Sequence, residues 1–175
     1  MDQDEVFQNQ MKKKYKDLNT KFIFYHPAYN VRNTEIGAIM GQSQIKRLDQ
    51  NIKKRNLNLN YFLKNLDKEI YFVDFDTNGQ SNYAFNVILK DKNKKLMNEL
   101  QNKLEINGVE FRMGSAGGGN QLRQPYIKKM FSKNEMIKYK NTEHIHFYGM
   151  YIGNYPELNK KKIDNILNIL NSVKK

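Results

Sequence analysis

The stretch "HPAYNVRNTEIGAIMGQSQIKRLDQNI", His26 to Ile52, passes from a polar turn into a long helical pattern. Pro27 pushes His26 out of the α region and turns the chain. Thr34 has the chemistry of a helix N-cap, and Glu35 places a carboxylate in the first turn, where the helix dipole favours it. Beyond it, Ile45, Leu48, Ile52, Leu59, Phe62 and Leu66 recur at three- and four-residue spacings, with Ile36, Ile39 and Met40 extending the same face upstream. One apolar seam over residues 34–66 is expected, lying against a partner surface. Asn56, Asn58 and Asn60 are mediocre helix formers and mark where a break is expected if there is one. Gly37 and Gly41 each cost a helix about 1 kcal/mol relative to alanine. Four residues apart, they share a side of the helix and would let another backbone approach there.

Residues 4–18 read as a short amphipathic helix, and Phe22–Tyr25 as an extended piece. After Leu66 the periodicity changes. Ile70–Phe75 and Tyr83–Leu89 read as strands around a Thr77-Asn78-Gly79 turn. Leu96, Leu100 and Leu104 mark a helix that stops at Asn107-Gly108. Val109–Arg112 reads as a third strand and Ile145–Ile152 as a fourth. A closing helix starts at Asn159 and buries Ile163, Ile166, Leu167 and Leu170. Strands separated by helices, with one hairpin, make an α+β sandwich with its helices on one face.

Composition narrows the function classes. The chain has 175 residues, no cysteine and a formal net charge of +12. Disulfides, thiolate metal sites and cysteine nucleophiles are excluded. No apolar run is long enough to span a bilayer, and the acidic start MDQDE has no signal-peptide core. A soluble cytoplasmic protein without a membrane partner is the expectation. The positive balance would suit a polyanion, but Lys12-Lys13-Lys14, Lys53-Lys54-Arg55 and Lys160-Lys161-Lys162 are scattered. Lysine-rich surface drift is therefore preferred to nucleic-acid binding.

Three stretches carry ligand-type chemistry. Tyr29-Asn30-Val31-Arg32 sets an amide and a guanidinium beside a helix start, suited to a phosphate or carboxylate. Position alone favours the plainer reading of a turn residue and a surface charge. "FRMGSAGGGNQLRQPYI", Phe111 to Ile127, joins a glycine-rich loop to the polar run Asn120, Gln121, Arg123, Gln124. Glycines let backbone N–H groups approach an anion. The Gly-Lys-Ser/Thr ending of a phosphate loop is absent, so an anion cradle and a plain loop both stand. In "EHIHFYGMYIGN", His144 and His146 would share one side of a strand. With no third ligand at a suitable spacing, a zinc site is not the reading. No nucleophile–base pair stands out, and Asp74 and Asp76 have no partner at a catalytic spacing.

"YNVRNTEIGAIMGQSQIKRLD", Tyr29 to Asp49, resembles the DegT/DnrJ/StrS family of pyridoxal-phosphate-dependent sugar aminotransferases. Their motif runs Gly-Tyr-Asn-x-Arg-x-Thr-(Glu/Asp), then Gly-x-x-Gln-Leu, into a long helix. Tyr29, Asn30, Arg32, Thr34, Glu35, Gly41, Gln44 and Arg47-Leu48-Asp49 match, whereas Ala28 replaces the usual glycine and Ile45 the leucine. "GVEFRMGSAGGGNQLRQPY" and "HIHFYGMYIGNYPEL" resemble the carboxy-terminal small domain of the branch acting on nucleotide-linked keto-deoxysugars, which includes the 3-dehydratases.

The resemblance implies the small domain of a fold-type-I transferase preceded by a bridging helix. Residues 1–33 would be the end of a large domain and an inter-subunit turn, 34–66 the bridging helix, and 67–175 the small α/β domain. It implies pyridoxal 5′-phosphate as cofactor and a nucleotide-linked keto-sugar of lipopolysaccharide or deoxysugar synthesis as substrate. The partner would be a second copy of this chain or a separate large-domain chain. Asn30 would reach the cofactor phosphate of the neighbouring subunit, with Arg32 supporting that turn, and Arg112, Asn120, Gln124 and His146 would face the sugar nucleotide. The family's Schiff-base lysine (a histidine in the dehydratases), its aspartate at the pyridine nitrogen and its stacking aromatic have no matching motif here. No residue is therefore expected to be catalytic, and the chain alone is expected to be inactive. A stand-alone sugar-nucleotide or phosphate-binding module is the alternative.

Overall fold

The computed structural model describes residues 3–14, 33–113, 119–123, 132, 135 and 138–174. The chain divides into two units, Met1–Gln42 and Ser43–Lys175. The first contains helix α1 (Gln3–Lys14) and the start of α2 (Glu35–Ile45). Thr34 caps α2 as its chemistry requires: its hydroxyl accepts from the Gly37 N–H at 3.2 Å and its carbonyl from Ala38 at 3.0 Å. A Cβ on Gly37 would meet the Asn33 carboxamide oxygen, the end of an exposed side chain that can swing aside. That oxygen accepts from the Thr34 N–H at 2.9 Å. A Cβ on Gly41 would meet nothing within 4 Å.

The long helix is interrupted, but not at its asparagines. After α2 the Arg47 N–H turns back to the Gln44 carbonyl at 3.0 Å, and α3 (Leu48–Asn65) begins beyond it. The helix continues through Asn56, Asn58 and Asn60 because burial outweighs their propensity. Leu59 and Phe62 are in the core, and Asn58 donates to the Asn154 side chain at 3.3 Å. The seam is buried from Leu59 onward, whereas Ile36, Ile39, Met40, Ile45 and Leu48 stay exposed.

The second unit is built on a three-stranded antiparallel sheet in the order β1 (Ala84–Ile88), β3 (Gly149–Gly153), β2 (Phe111–Arg112). Phe85 and Phe111 both lie opposite Ile152, and Val87 opposite Met150, which sets one sheet face toward the core. Helices α3, α4 (Lys94–Ile106) and α6 (Lys160–Asn171) cover that face. Both α4 and α6 have the apolar stripes expected of them. Leu96, Leu100 and Leu104 are buried from α4, and Ile163, Ile166, Leu167 and Leu170 from α6. Asn159 caps α6 by accepting from the Lys162 N–H at 2.9 Å. Gly108, at φ +66°, ends α4 in the left-handed conformation that favours glycine.

Two expected strands take another form. Over Ile70–Phe75 only Tyr71 bridges to Leu89, and the residues beyond it join no strand. Tyr71 is held instead through its buried hydroxyl, which donates to the Leu170 carbonyl at 2.7 Å. The expected strand Ile145–Ile152 is a strand only from Gly149, in β3; residues 145–148 instead close a helix, α5 (Lys140–Tyr148), that runs straight into it. Gly149 permits the change: its N–H bonds to the Ile145 carbonyl, and a Cβ there would sit 2.7 Å from that oxygen. His144 and His146 therefore lie on a helix, about 200° apart around its axis, not side by side on a strand.

Candidate functional site

The helix that replaces the expected strand also assembles the principal polar cluster. Glu143, His146 and Phe147 are spaced three and four residues apart on α5 and so share a face. The segment ending in the short 3₁₀ turn Gln121–Arg123 lies on that face. Asn120, only 2% exposed, is its centre. Its backbone N–H donates to His146 Nδ1 at 3.1 Å, and its side-chain Nδ2 donates to Glu143 Oε2 at 2.9 Å. Its Oδ1 accepts from the Leu122 N–H at 3.1 Å and its carbonyl from the Arg123 N–H at 3.0 Å. A buried asparagine with all its polar groups engaged is rigid, since freeing any of them would leave an unpaired group away from water.

Arg123 closes the cluster. Its Nε lies 3.0 and 2.9 Å from the two Glu143 oxygens, and its Nη2 also bonds Oε1. The guanidinium carbon sits 4.7 Å above the Phe147 ring. The Arg123 hydrogen bonds hold the Glu143 carboxyl at about 2 instead of its ordinary 4.5, with the Asn120 amide adding to the effect and partial burial opposing it. The folded-state value is the lower one, so the carboxylate's contribution is complete above 4.5 and fades as pH falls toward 2. The Glu143 side chain keeps 34% exposure, and solvent screening leaves about 1 kcal/mol of that contribution. In urea unfolding, wild type is expected to exceed Glu143→Gln by about this amount near neutral pH. The gap should close progressively between the unfolded and folded values. Parallel stability curves across that window would contradict the assignment.

His144, on the other side of α5, serves the fold. Its Nε2 donates to the Leu89 carbonyl at 2.6 Å, and its ring meets Phe72 edge-on at 6.1 Å.

The residues expected to face a sugar nucleotide thus separate. The structure brings Asn120 and His146 together. Arg112 lies on the outer sheet face, opposite Tyr151 in the β2–β3 pairing, with Glu110 at 3.4 Å. It lines a groove of about 1110 Å³ with Tyr83, Tyr151, Tyr155, Lys162 and Asn165, and neither Asn120 nor His146 borders that groove. Asn30, Arg32 and Gln124 lie outside the described residues.

Sequence reasoning missed Glu143 and left Arg123 without a role. Their contact bridges 20 residues of chain, and the strand reading of Ile145–Ile152 hid the three-residue relation of Glu143 to His146. An α reading of "TEHIHFY" would have exposed it.

As a phosphate cradle for a pyridoxal cofactor the cluster falls short. Its cation, Arg123, is already matched by a bidentate carboxylate. Its other groups are amides and an imidazole, which suit hydroxyl and carbonyl oxygens better than a dianion. These residues by themselves do not fit the cofactor's phosphate.

The chain belongs to the DegT/DnrJ/EryC1/StrS aminotransferase family, whose sequence profile matches residues 2–171. It is 30% identical over 150 residues to the GDP-4-keto-6-deoxy-D-mannose 3-dehydratase of Yersinia pseudotuberculosis, a match covering 85% of this chain and 38% of that protein. Among solved structures, it matches a GDP-4-keto-6-deoxymannose-3-dehydratase (ColD) variant with bound GDP-perosamine at a TM-score of 0.71 and 28% identity, over 86% of this chain and 39% of that one. It also matches a GDP-4-keto-6-deoxymannose-3-dehydratase with a trapped PLP-glutamate geminal diamine, with a TM-score of 0.66, 27% identity and the same two coverages, 86% and 39%. The helices and small antiparallel sheet are those of part of a fold-type-I pyridoxal-phosphate enzyme. The chain spans about 38% of the length of that curated relative.

Proposed function

We propose that this family member forms the sugar-facing small domain of an enzyme acting on a nucleotide-linked keto-deoxysugar, by amination or by 3-dehydration, in the cytoplasm. The cluster of Asn120, Glu143, Arg123 and His146 carries the reading. It is a hydrogen-bonded frame around the buried Asn120 that leaves the imidazole half-buried. His146 and Asn120 would contact sugar oxygens, with Gln124 following in the same segment. Arg112, in its tyrosine-lined groove, would meet the nucleotide side.

In the same reading residues 1–33 supply the inter-subunit turn, with Asn30 and Arg32 directed to the cofactor phosphate of a neighbour. Residues 34–66 bridge to the small domain, 67–175. Pyridoxal phosphate would be held mainly by sequence of the kind this chain does not match, and no residue of the cluster carries a step on it. A partner is supported by α2, which buries no residue while exposing Ile36, Ile39, Met40 and Ile45. The partner would be a second copy or a chain carrying the cofactor-binding half. Exposed apolar area of this kind is normally covered in an assembly.

The test is titration of the isotopically labelled chain with GDP and with GDP-mannose, followed by amide and imidazole chemical shifts. The expected result is a set of perturbations centred on Asn120 and His146 with GDP-mannose and absent with GDP alone. Perturbations by GDP-mannose that spare both residues would overturn the reading, as would none at millimolar GDP-mannose.

A further inference from the structure

Hydrogen-bond logic fixes the His146 ring further than its position does. The atom facing Nδ1 is the Asn120 backbone nitrogen, at 3.1 Å, and a backbone N–H only donates. Nδ1 must therefore accept, and the neutral ring carries its proton on Nε2. Among the described residues nothing accepts from that Nε2.

What holds the Asn120 peptide in place is a side-chain contact. Its Nδ2 is anchored on Glu143 Oε2 at 2.9 Å, and its Oδ1 closes onto the Leu122 N–H at 3.1 Å. Glu143 stands three residues before His146 on α5, so one rigid helix carries both the imidazole and the carboxylate that fastens its hydrogen-bond donor. Arg123 binds both oxygens of the same carboxylate and keeps it from rotating away.

We propose that Glu143 is a positioning residue for His146. Acting through Asn120, its carboxylate holds the imidazole with Nδ1 as acceptor and Nε2–H as a fixed neutral donor for an oxygen of the bound sugar. Preorganisation of this kind removes the reorientation a free imidazole would undergo on binding. The role at the sugar rests on the function proposed above, whereas the hydrogen-bond chain is a property of the ligand-free protein, so the two fail separately.

The experiment uses the full chain, ¹⁵N-labelled and without ligand, at a pH above the imidazole range. Long-range proton–nitrogen correlation reads which ring nitrogen bears the proton. Scalar coupling between the Asn120 amide nitrogen and His146 Nδ1 reads the bond directly. Wild type is expected to show an unprotonated Nδ1 coupled to Asn120. Glu143→Gln keeps an oxygen for the Asn120 amide and should retain the coupling. Glu143→Ala should lose it and give His146 the tautomer mixture of a free histidine.

His144 is the internal control. Its Nε2 bonds to the Leu89 carbonyl, so its signals should not move in any of these variants, whereas general loss of structure would move both rings. Should Glu143→Ala not fold, Asn120→Ala keeps the backbone N–H but removes its anchor and is expected to lose the coupling likewise. A protonated Nδ1 or no coupling in wild type overturns the proposal. So does a coupling undiminished in Glu143→Ala or, in its place, Asn120→Ala.

Discussion

Phe62→Ala is expected to lower the stability of the Ser43–Lys175 unit by about 3–5 kcal/mol, the usual cost of deleting a buried aromatic ring. Phe62 of α3 and Phe85 of β1 are both 0% exposed and stack with their ring centroids 4.2 Å apart and their planes 6° from parallel. The pair joins the helix to the sheet across the whole core. Removing one ring forfeits its transfer free energy and leaves a cavity that the surrounding leucines fill only in part. The urea midpoint should fall while the denaturant slope stays the same, since the same surface is exposed on unfolding. A loss below about 1 kcal/mol would place the ring in a site able to collapse and would contradict the rigid stack.

The second large effect is expected at Asn154, a buried side chain that apolar patterning does not anticipate. It is 1% exposed and sits just past the end of β3. Its Nδ2 donates to the Arg55 carbonyl at 3.1 Å and to the Asn82 carbonyl at 2.9 Å. Its Oδ1 accepts from Asn58 at 3.3 Å, and its backbone N–H reaches the Tyr83 carbonyl at 2.7 Å. One residue thus ties α3, the entry to β1 and the exit from β3. Asn154→Leu preserves bulk but leaves the Arg55 and Asn82 carbonyls and the Asn58 amide each short of one partner, the amide keeping the Tyr155 and Leu158 carbonyls. At about 1–3 kcal/mol for each such group, a net loss near 3 kcal/mol is expected from urea unfolding. In a double-mutant cycle Asn58→Ala should cost clearly less on the Asn154→Leu background than on wild type. Additive effects would show that the two asparagines stabilise independently.

Both effects join segments far apart in sequence, and this marks where legibility ended. Elements whose signals are local were legible. The Thr34 and Asn159 caps, the left-handed Gly108 at the end of α4, and the apolar stripes of α4 and α6 all follow from side chains within a turn or two of one another. The family motifs were legible for the same reason, being short runs of neighbouring residues. The α5 segment was not. "HIHFYGMYI" alternates well enough for a strand, and the deciding fact is a steric one at Gly149, whose missing Cβ lets a helix end against the Ile145 carbonyl and a strand begin at once. That misreading also hid the candidate site, because Glu143 meets His146 only on a helix.

The long seam shows the same division. Periodicity established that residues 34–66 favour a helix with an apolar face. It could not say that burial starts near Leu59, that the chain turns at Lys46-Arg47, or that Asn58 would be held by a partner about a hundred residues away. By itself the sequence determined the α+β class, the helices with complete caps and stripes, and the family, since each depends on neighbours along the chain. Only the tertiary structure decided which face of the seam is covered and which residues surround Asn120. It also decided how His146 is oriented, because hydrogen bonds and steric contacts between distant segments outweigh propensities of a few tenths of a kcal/mol per residue.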